Sequence, residues 1–191
     1  MIKILKKCTA CGTLLVVDEC FHEFLPQPEE YLVDMVPQWD YLLIIRAFTK
    51  SYAMAGLRLG YALCSDTELL KHMEDCGQLW PVSIPAQAAG LAALEDNAYL
   101  DKLRELIKKQ RPLLAHGLEH LGCKVISGTA NYLLFYCADQ ELGYKLEKKG
   151  ILIRDCSTFH GLGKGWYRVC VKAEEDNQSL LTMMEEVLHN G

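Results

Sequence analysis

The residues with the clearest capacity for chemistry lie in one short segment, where Lys50 is followed eight positions later by Arg58. An apolar run at residues 41–45 leads into this segment, which is rich in small residues, and a second apolar run follows Arg58. A lysine amine can form a Schiff base with an aldehyde, and an arginine guanidinium can hold a phosphate through two parallel hydrogen bonds. The spacing therefore indicates a site for an aldehyde cofactor that carries a phosphate, whereas Lys50 considered alone would more often be a solvated surface lysine.

A carboxylate stands at the end of the preceding β-rich run. Residues 13–17 lead directly into Asp18 and Glu19. Open α/β sheets bind ligands beyond the carboxyl ends of their strands, so we expect Asp18 and Lys50 at the same sheet edge. Pyridoxal phosphate requires a carboxylate against its ring nitrogen, because the protonated ring then withdraws electrons from the substrate's α-carbon. The alternative for Asp18 is an ordinary helix cap or loop acid.

These segments together resemble the fold-type I pyridoxal-phosphate enzymes, and the residues that carry the resemblance are 17–21, 49–50 and 56–61. Within that group the chain is most similar to the class I/II aminotransferase family, in its threonine-phosphate decarboxylase and histidinol-phosphate aminotransferase branches. The resemblance extends over about residues 2–188 and implies that the chain corresponds to the C-terminal half of such enzymes.

The resemblance also implies roles for individual residues around the cofactor. Lys50 would form the Schiff base, Asp18 would contact the pyridine nitrogen, and Thr49 and Arg58 would bind the phosphate. Phe21 stands where many relatives have a tyrosine whose phenol reaches the cofactor's 3′-oxygen. The decarboxylase branch resembles this sequence in having a phenylalanine at this position.

Three further residues are implied on the substrate side. Arg168 would bind the substrate α-carboxylate, Asn131 would lie near the substrate, and Arg154 would lie near a substrate phosphate in the decarboxylase branch. One phosphate ligand departs from the pattern, because Ala47 stands where relatives usually have serine or threonine.

The predicted fold class is α/β. Residues 1–115 are expected to form the C-terminal part of a pyridoxal-phosphate-dependent transferase large domain, with a mostly parallel sheet, and residues 116–191 a small α+β domain. Apolar periodicity, caps and breakers predict helices at 2–11, 29–36, 66–76, 86–94, 97–121, 141–149 and 177–188, with Pro112 kinking or splitting the long one. Strands are predicted at 14–17, 41–47, 59–64, 124–126, 132–136, 151–153 and 167–171.

Composition narrows the class of protein. Half of the 191 residues are hydrophobic and the formal net charge is -5. An ordinary globular protein is indicated, and a broad basic surface for nucleic acid is not. Neither a secretion signal nor an apolar run of membrane-spanning length is recognisable, so a cytoplasmic protein without membrane partners is expected.

The nine cysteines raise the question of metal or redox chemistry. Cys8, Cys11, Cys20 and His22 are zinc-ligand types close together in sequence, and the first two form a CxxC pair. A predicted helix before Gly12 and a strand after it would separate the two halves of that set. We therefore expect no metal site, with a zinc-binding module or a redox pair as alternatives, and most other cysteines as small buried hydrophobes.

The sequence thus predicts a pyridoxal-phosphate-dependent enzyme that acts on an amino acid or amino-phosphate through Lys50, closest to threonine-phosphate decarboxylase. The alternatives are a histidinol-phosphate-type aminotransferase and a truncated, non-catalytic fragment. Decarboxylation and transamination stay open, since the bond that breaks is the one held perpendicular to the cofactor ring. The resemblance further implies a homodimer and a small-molecule substrate.

Overall fold

The chain divides into two compact units, Met1–Asp101 and Lys102–Gly191. The computed structural model describes residues 1–25 and 32–189. The division between the units and the predicted domain boundary at 115–116 both fall within the same long helix. No helix in the described residues is both long enough and apolar enough to cross a membrane.

The first unit alternates strands with short helices. In chain order its elements are α1 (Ile2–Ala10), β1 (Leu15–Asp18), 3-10 helices at His22–Phe24 and Leu32–Gln38, β2 (Leu42–Ala47), α2 (Phe48–Ser51), a 3-10 turn at Ala55–Leu57, β3 (Gly60–Leu63), α3 (Thr67–Asp75) and α4 (Ile84–Glu95). The long helix α5 (Asn97–His120) follows. Asp66 caps α3 by accepting from the backbone N–H of Leu69, and Ser83 caps α4 in the same way, as expected for these residue types.

The sheet of the first unit has the order β1-β2-β3. β1 runs parallel to β2, and β2 runs antiparallel to β3. The described sheet is therefore mixed, with one parallel and one antiparallel pairing, where a mostly parallel sheet was predicted.

One face of this sheet carries the core of the unit. Leu42 and Ile44 of β2 are fully buried there, together with Leu5 of α1 and with Leu32 and Val36 of the longer 3-10 helix. Alternate residues of a strand point to opposite faces, so the intervening residues belong to the other side of the sheet.

The opposite face is only partly covered within the described residues. Val16 of β1 is 51% exposed and Ile45 of β2 is 37% exposed. Leu43, which pairs with Val16 on the same face, is buried. Asp18 pairs with Ile45 in the parallel register and therefore shares this face. Because strands of parallel sheets are usually covered on both faces, this apolar surface has the character of a surface meant to be packed against.

The second unit is an antiparallel sheet with helices. After α5 come β4 (Lys124–Ile126), β5 (Tyr132–Tyr136), α6 (Leu142–Lys148), β6 (Arg154–Asp155), β7 (Trp166–Cys170) and α7 (Glu174–His189). The strand order is β4-β5-β7-β6, and each neighbouring pair is antiparallel. Leu133, Phe135, Tyr167 and Val169 are buried on one face. Helices α5 and α7 pack closely at Gly117 of α5, because a Cβ there would overlap the side chain of Leu181 in α7.

Most predicted elements are present, and the exceptions have local causes. Residues 151–153 are not a strand, because the N–H of Ile151 bonds back to Leu146 O in the turn that ends α6; the strand begins at Arg154. Pro112 does not split α5. Pro85 lies in the first turn of α4, where its missing N–H leaves no helix bond unmade.

Two helix predictions shift. The final helix begins at Glu174, three residues before the predicted start at Asn177. The helix predicted at 29–36 lies partly outside the described residues, and its described part belongs to the 3-10 helix Leu32–Gln38.

Candidate functional site

Asp18 and Lys50 both lie at the carboxyl ends of neighbouring parallel strands. Asp18 is the last residue of β1, and the parallel register pairs it with Ile45 near the end of β2. The two residues Ala47 and Phe48 then lead from β2 into α2, which contains Lys50. Strands β1 and β2 therefore deliver both side chains to the same edge of the sheet.

The Asp18 carboxylate is held in its charged form by Cys20. Its Oδ1 accepts a hydrogen bond from the Cys20 backbone N–H at 2.9 Å. The Cys20 thiol, and after it this N–H, lower the pKa of Asp18 below the ordinary aspartate value. In turn, burial and the neighbouring carboxylate raise the pKa of Cys20 to about 11. A carboxylate that is charged at neutral pH fits the role of partner to a cationic ring nitrogen.

A buried ion pair, which the sequence analysis did not identify, joins the ends of the same two strands. Arg46 donates from Nε and Nη2 to Glu19 Oε2, at 2.9 and 2.8 Å. The Glu19 side chain is only 5% exposed and that of Arg46 14%. Burial alone would lower the pKa of Arg46, but hydrogen bonds to Glu19 and Tyr61 outweigh it and raise the pKa. Alternation could have placed Glu19 on the face opposite Asp18, but no local pattern in the sequence indicates that this face is covered.

Replacement of Arg46 by methionine is expected to destabilise the chain by about 3 kcal/mol, because Glu19 would keep a buried charge without its partner. The double variant Glu19→Leu/Arg46→Met should recover most of that loss, since the pair is then exchanged for apolar side chains. Urea unfolding of the two single variants and the double variant gives the coupling energy. Equal losses in the single and double variants would show that the pair does not hold these strand ends.

The contact between Asp18 and Cys20 predicts a dependence on pH. Because the folded chain lowers the pKa of Asp18, its contribution to stability is complete above the unfolded value of about 3.9 and disappears as the pH falls through the folded pKa. Cys20→Ala removes the thiol donor, so its stability deficit should be present above about pH 4 and vanish in stronger acid. Urea midpoints across this range measure it, with the exposed Cys11→Ala as control. A deficit of the same size at every pH would contradict the assignment.

The Lys50 segment is short and locally strained. Phe48 is buried and anchors α2, and the backbone N–H of Phe48 donates to Leu59 O at 3.2 Å. Lys50 itself is exposed. Ala53 and Arg58 both have left-handed φ angles, 54° and 56°. Non-glycine residues in this region cost energy and cluster at functional sites, so the backbone around Lys50 has the character of a site rather than of an ordinary surface loop.

Thr49 and Arg58 lie within this segment, whereas Phe21 lies after β1. Thr49 is half-buried, and Arg58 is exposed with Nη1 donating to Ala55 O at 3.1 Å. Phe21 follows β1 and packs against Phe24, with ring centroids 6.1 Å apart. Ala47 precedes α2 and offers its first turn no side-chain cap.

In the second unit, two predicted substrate residues stand directly opposite each other. Arg154 of β6 pairs with Arg168 of β7 in the antiparallel register, so both side chains leave the same face of the sheet. Like charges in this position are unfavourable. Among the described residues neither guanidinium forms an ion pair; Arg168 lies 5.0 Å from the centroid of the Tyr132 ring and Arg154 5.9 Å from that of Phe159.

Asn131 precedes β5 and contacts the neighbouring strand β7. Its Nδ2 lies 3.8 Å from Cys170 Sγ, and Cys170 is two residues beyond Arg168 in β7. Asn131 also accepts from the Val171 backbone N–H through its own carbonyl at 2.8 Å. Arg154 and Arg168 therefore share the face opposite the buried core, whereas Asn131, the residue before β5, meets that face only through its contact with Cys170. Tyr132 belongs to this group but was missed, although its alternation with Leu133 could have indicated its face.

The metal alternative finds no support in the part of the chain that the structure describes. There, no three or more histidine, cysteine, aspartate or glutamate side chains converge into a possible metal site. Cys8 and Cys11 lie at the C-terminal end of α1, while Cys20 and His22 lie after β1.

The comparisons with known proteins identify the family. The model of the class I and II aminotransferases matches residues 2–186. The chain belongs to that family, which confirms the resemblance seen in the sequence. Curated relatives include both predicted branches. The threonine-phosphate decarboxylase of Salmonella typhimurium is 32% identical over 97% of this chain and 51% of that protein. The histidinol-phosphate aminotransferase of Methanothermobacter thermautotrophicus is 33% identical over 92% and 48%.

Solved structures share the fold. The histidinol-phosphate aminotransferase from Clostridium acetobutylicum has a TM-score of 0.92 at 30% identity, covering 100% of this chain and 58% of that one. The corresponding enzyme from Sinorhizobium meliloti, determined in complex with pyridoxal-5'-phosphate, has a TM-score of 0.78 at 20% identity, covering 99% and 53%. The chain thus spans about half the length of the curated relatives it matches.

Proposed function

We propose that this chain is part of a pyridoxal-phosphate-dependent enzyme that acts on an amino acid carrying a phosphate, with decarboxylation of threonine phosphate as the first candidate reaction. The observation that carries the proposal is the joint placement of Asp18 and Lys50 at the ends of two parallel strands. Family membership and the cofactor-bound relative support the choice of cofactor.

The residues of the first unit fit pyridoxal phosphate in chemistry. Asp18 is an exposed anion that would pair with the ring nitrogen, and Lys50 is an exposed amine that would bond the aldehyde. Thr49 and Arg58 would bind the phosphate through a hydroxyl and a guanidinium. The buried Ser51 hydroxyl beside Lys50 has no hydrogen-bond partner among the described residues, so a polar group near this turn would find an unused donor. When bound, the cofactor supplies an electron-withdrawing ring that stabilises negative charge at the substrate's α-carbon.

The chain's own residues would divide the remaining work. Lys50 can carry a proton at its Nζ once it no longer bonds the aldehyde. Asp18 would keep the ring nitrogen cationic throughout, because its lowered pKa resists protonation. Phe21 would border the ring without donating to the 3′-oxygen, as expected from the sequence.

The paired arginines of the second unit would bind the two anionic groups of such a substrate. Arg168 would take the α-carboxylate and Arg154 the phosphate, with Asn131 nearby. An anion between them would relieve the like-charge conflict of the cross-strand pair, which otherwise has no ion-pair partner among the described residues. This need for an anion, together with the decarboxylase among the relatives, favours a doubly anionic substrate.

Lys50 is the first residue to test. The chain incubated with pyridoxal phosphate and reduced with borohydride should carry a pyridoxyl group on Lys50 in peptide mass maps. Lys50→Arg keeps the positive charge but should lose the label, while Lys71→Ala, an exposed lysine of α3, should keep it. A label spread over many lysines, or one unchanged in Lys50→Arg, would reject the cofactor site.

The arginine pair predicts opposite effects on stability and binding. Arg154→Gln should stabilise the unliganded chain by about 0.5 kcal/mol, since the like-charge contact is removed. The same change should weaken binding of O-phosphothreonine about tenfold or more. Thermal unfolding with and without this ligand measures both, and Lys124→Gln, which removes an exposed charge from β4, is the control. A variant with lower stability and unchanged binding would contradict an anion site here.

A truncated, non-catalytic fragment stays the second candidate, because the face that carries Val16, Asp18 and Ile45 is partly uncovered in the described residues. The cofactor would then have walls on one side only and would bind weakly. The labelling experiment separates the two candidates, since such a fragment would fold with a normal circular dichroism spectrum and leave Lys50 unlabelled. The same proposal includes a homodimer as the oligomeric state of the intact enzyme. Transamination of the histidinol-phosphate type is its alternative reaction.

A further inference from the structure

Two cysteines that the candidate site does not use meet at the end of the second sheet. Cys123 and Cys137 are 5% and 4% exposed. Gly122, with φ +79°, ends α5 and turns the chain so that the Cys123 N–H bonds back to Leu118 O at 3.0 Å. This helix-ending turn delivers Cys123 directly to the start of β4.

The strand register places the two cysteines opposite each other. β4 and β5 are antiparallel, and Lys124 pairs with Tyr136. Cys123 and Cys137 are the next residues beyond this pair, and their side chains are in hydrogen-bond contact. Both have the parity of Val125 and Phe135, so both side chains point to the same face of the sheet. Their low exposure agrees with that position on the buried side.

The backbone hydrogen bonds of the two residues show which kind of cross-strand pair this is. The N–H of Cys137 donates to Gly165 O at 2.8 Å, and that of Cys123 donates back to α5, so neither bonds the other. Such non-hydrogen-bonded pairs have Cα atoms about 4.5 Å apart and the closer side chains. A disulfide spans Cα separations from about 4.4 Å upward, so the pair needs little movement to close.

We propose that Cys123 and Cys137 form an oxidisable dithiol, which hydrogen peroxide converts into a cross-strand disulfide between β4 and β5. The Cys137 sulfur would attack the peroxide, forming an S–O bond while the O–O bond breaks and water leaves. The Cys123 sulfur would then attack Cys137, forming the S–S bond and releasing the second water. The two thiols lose two electrons and two protons in total, and one peroxide is reduced to two waters.

The electrostatics of the pair set the order of these steps. The Cys123 thiol donates a hydrogen bond that, despite burial, lowers the pKa of Cys137 to about 7, and the Lys145 ammonium assists. The same contact and burial raise the pKa of Cys123. Because the thiolate is the attacking form, Cys137 reacts first and Cys123 resolves the product.

The CxxC pair noted in the sequence is less suited to this chemistry. Cys8 and Cys11 lie at the C-terminal end of α1, where the helix carries partial negative charge, whereas reactive CxxC thiolates profit from a helix N-terminus. Cys11, Cys76 and Cys170 are exposed, but none of them has a cysteine assigned opposite it in a strand pair. The inference is independent of the proposed catalytic function.

The test uses the full chain, reduced and then treated with hydrogen peroxide. After alkylation of the remaining thiols and proteolysis, mass spectrometry should find one cross-linked peptide pair that joins Cys123 and Cys137, reversible by dithiothreitol. The oxidised chain should keep its circular dichroism spectrum, because the two side chains are already in contact.

Single variants separate the two roles. Cys123→Ser, which keeps a hydroxyl donor toward Cys137 but cannot form a disulfide, should stop the reaction at a sulfenic acid on Cys137, which dimedone traps, whereas Cys137→Ala should leave Cys123 as a thiol. Cys76→Ala, at the end of α3, should cross-link like the unmodified sequence. A cross-link between Cys8 and Cys11 instead, or peroxide labelling confined to the exposed cysteines, would overturn the proposal.

Discussion

The parallel pairing of β1 with β2, closed at its end by a buried ion pair, is the constraint on which the candidate site depends. Parallel register brings the carboxyl ends of both strands to one edge, and the hydrogen bond from the Glu19 N–H to Ile45 O extends the ladder past Asp18. Arg46 then ties Glu19 to β2 from the covered face. The Asp18 backbone is thereby fixed by the β1–β2 pairing before it and by the anchored Glu19 after it. The sheet, and not a flexible loop, therefore sets the position of the Asp18 carboxylate.

The two sheets follow the same plan. Each packs its apolar side chains on one face and presents the residues with chemical capacity on the other. In the first unit the second face carries Asp18 beside exposed apolar side chains, and in the second it carries Arg154 and Arg168. Both arrangements are locally unfavourable. The first unit exposes apolar side chains on this face, and the second places two like charges opposite each other. Such conflicts are expected where a surface is shaped for a ligand or a covering segment.

Features that depend on nearby residues could be predicted from the sequence, and features that depend on distant segments could not. Apolar runs and capping residues predicted most elements, because periodicity and caps act within a few residues, as Asp66 and α3 illustrate. The family followed from Lys50 and its neighbours and is confirmed by the family match. The strand predicted at 151–153 failed because a turn after α6 takes its first backbone donor. The individual roles of the site residues stay predictions.

The sequence by itself determined the class of protein, the apolar segments that become strands, and the residues able to bind an aldehyde, a phosphate or a carboxylate. Only the tertiary structure decided what each face of a strand meets. Asp18 and Glu19 are adjacent acids of the same chemical type, yet one is exposed beside Cys20 and the other is buried against Arg46. Neighbouring residues of an extended chain point in opposite directions, and which direction is covered depends on segments far away in sequence. The same reason joined Cys123 to Cys137, which no spacing rule would have paired.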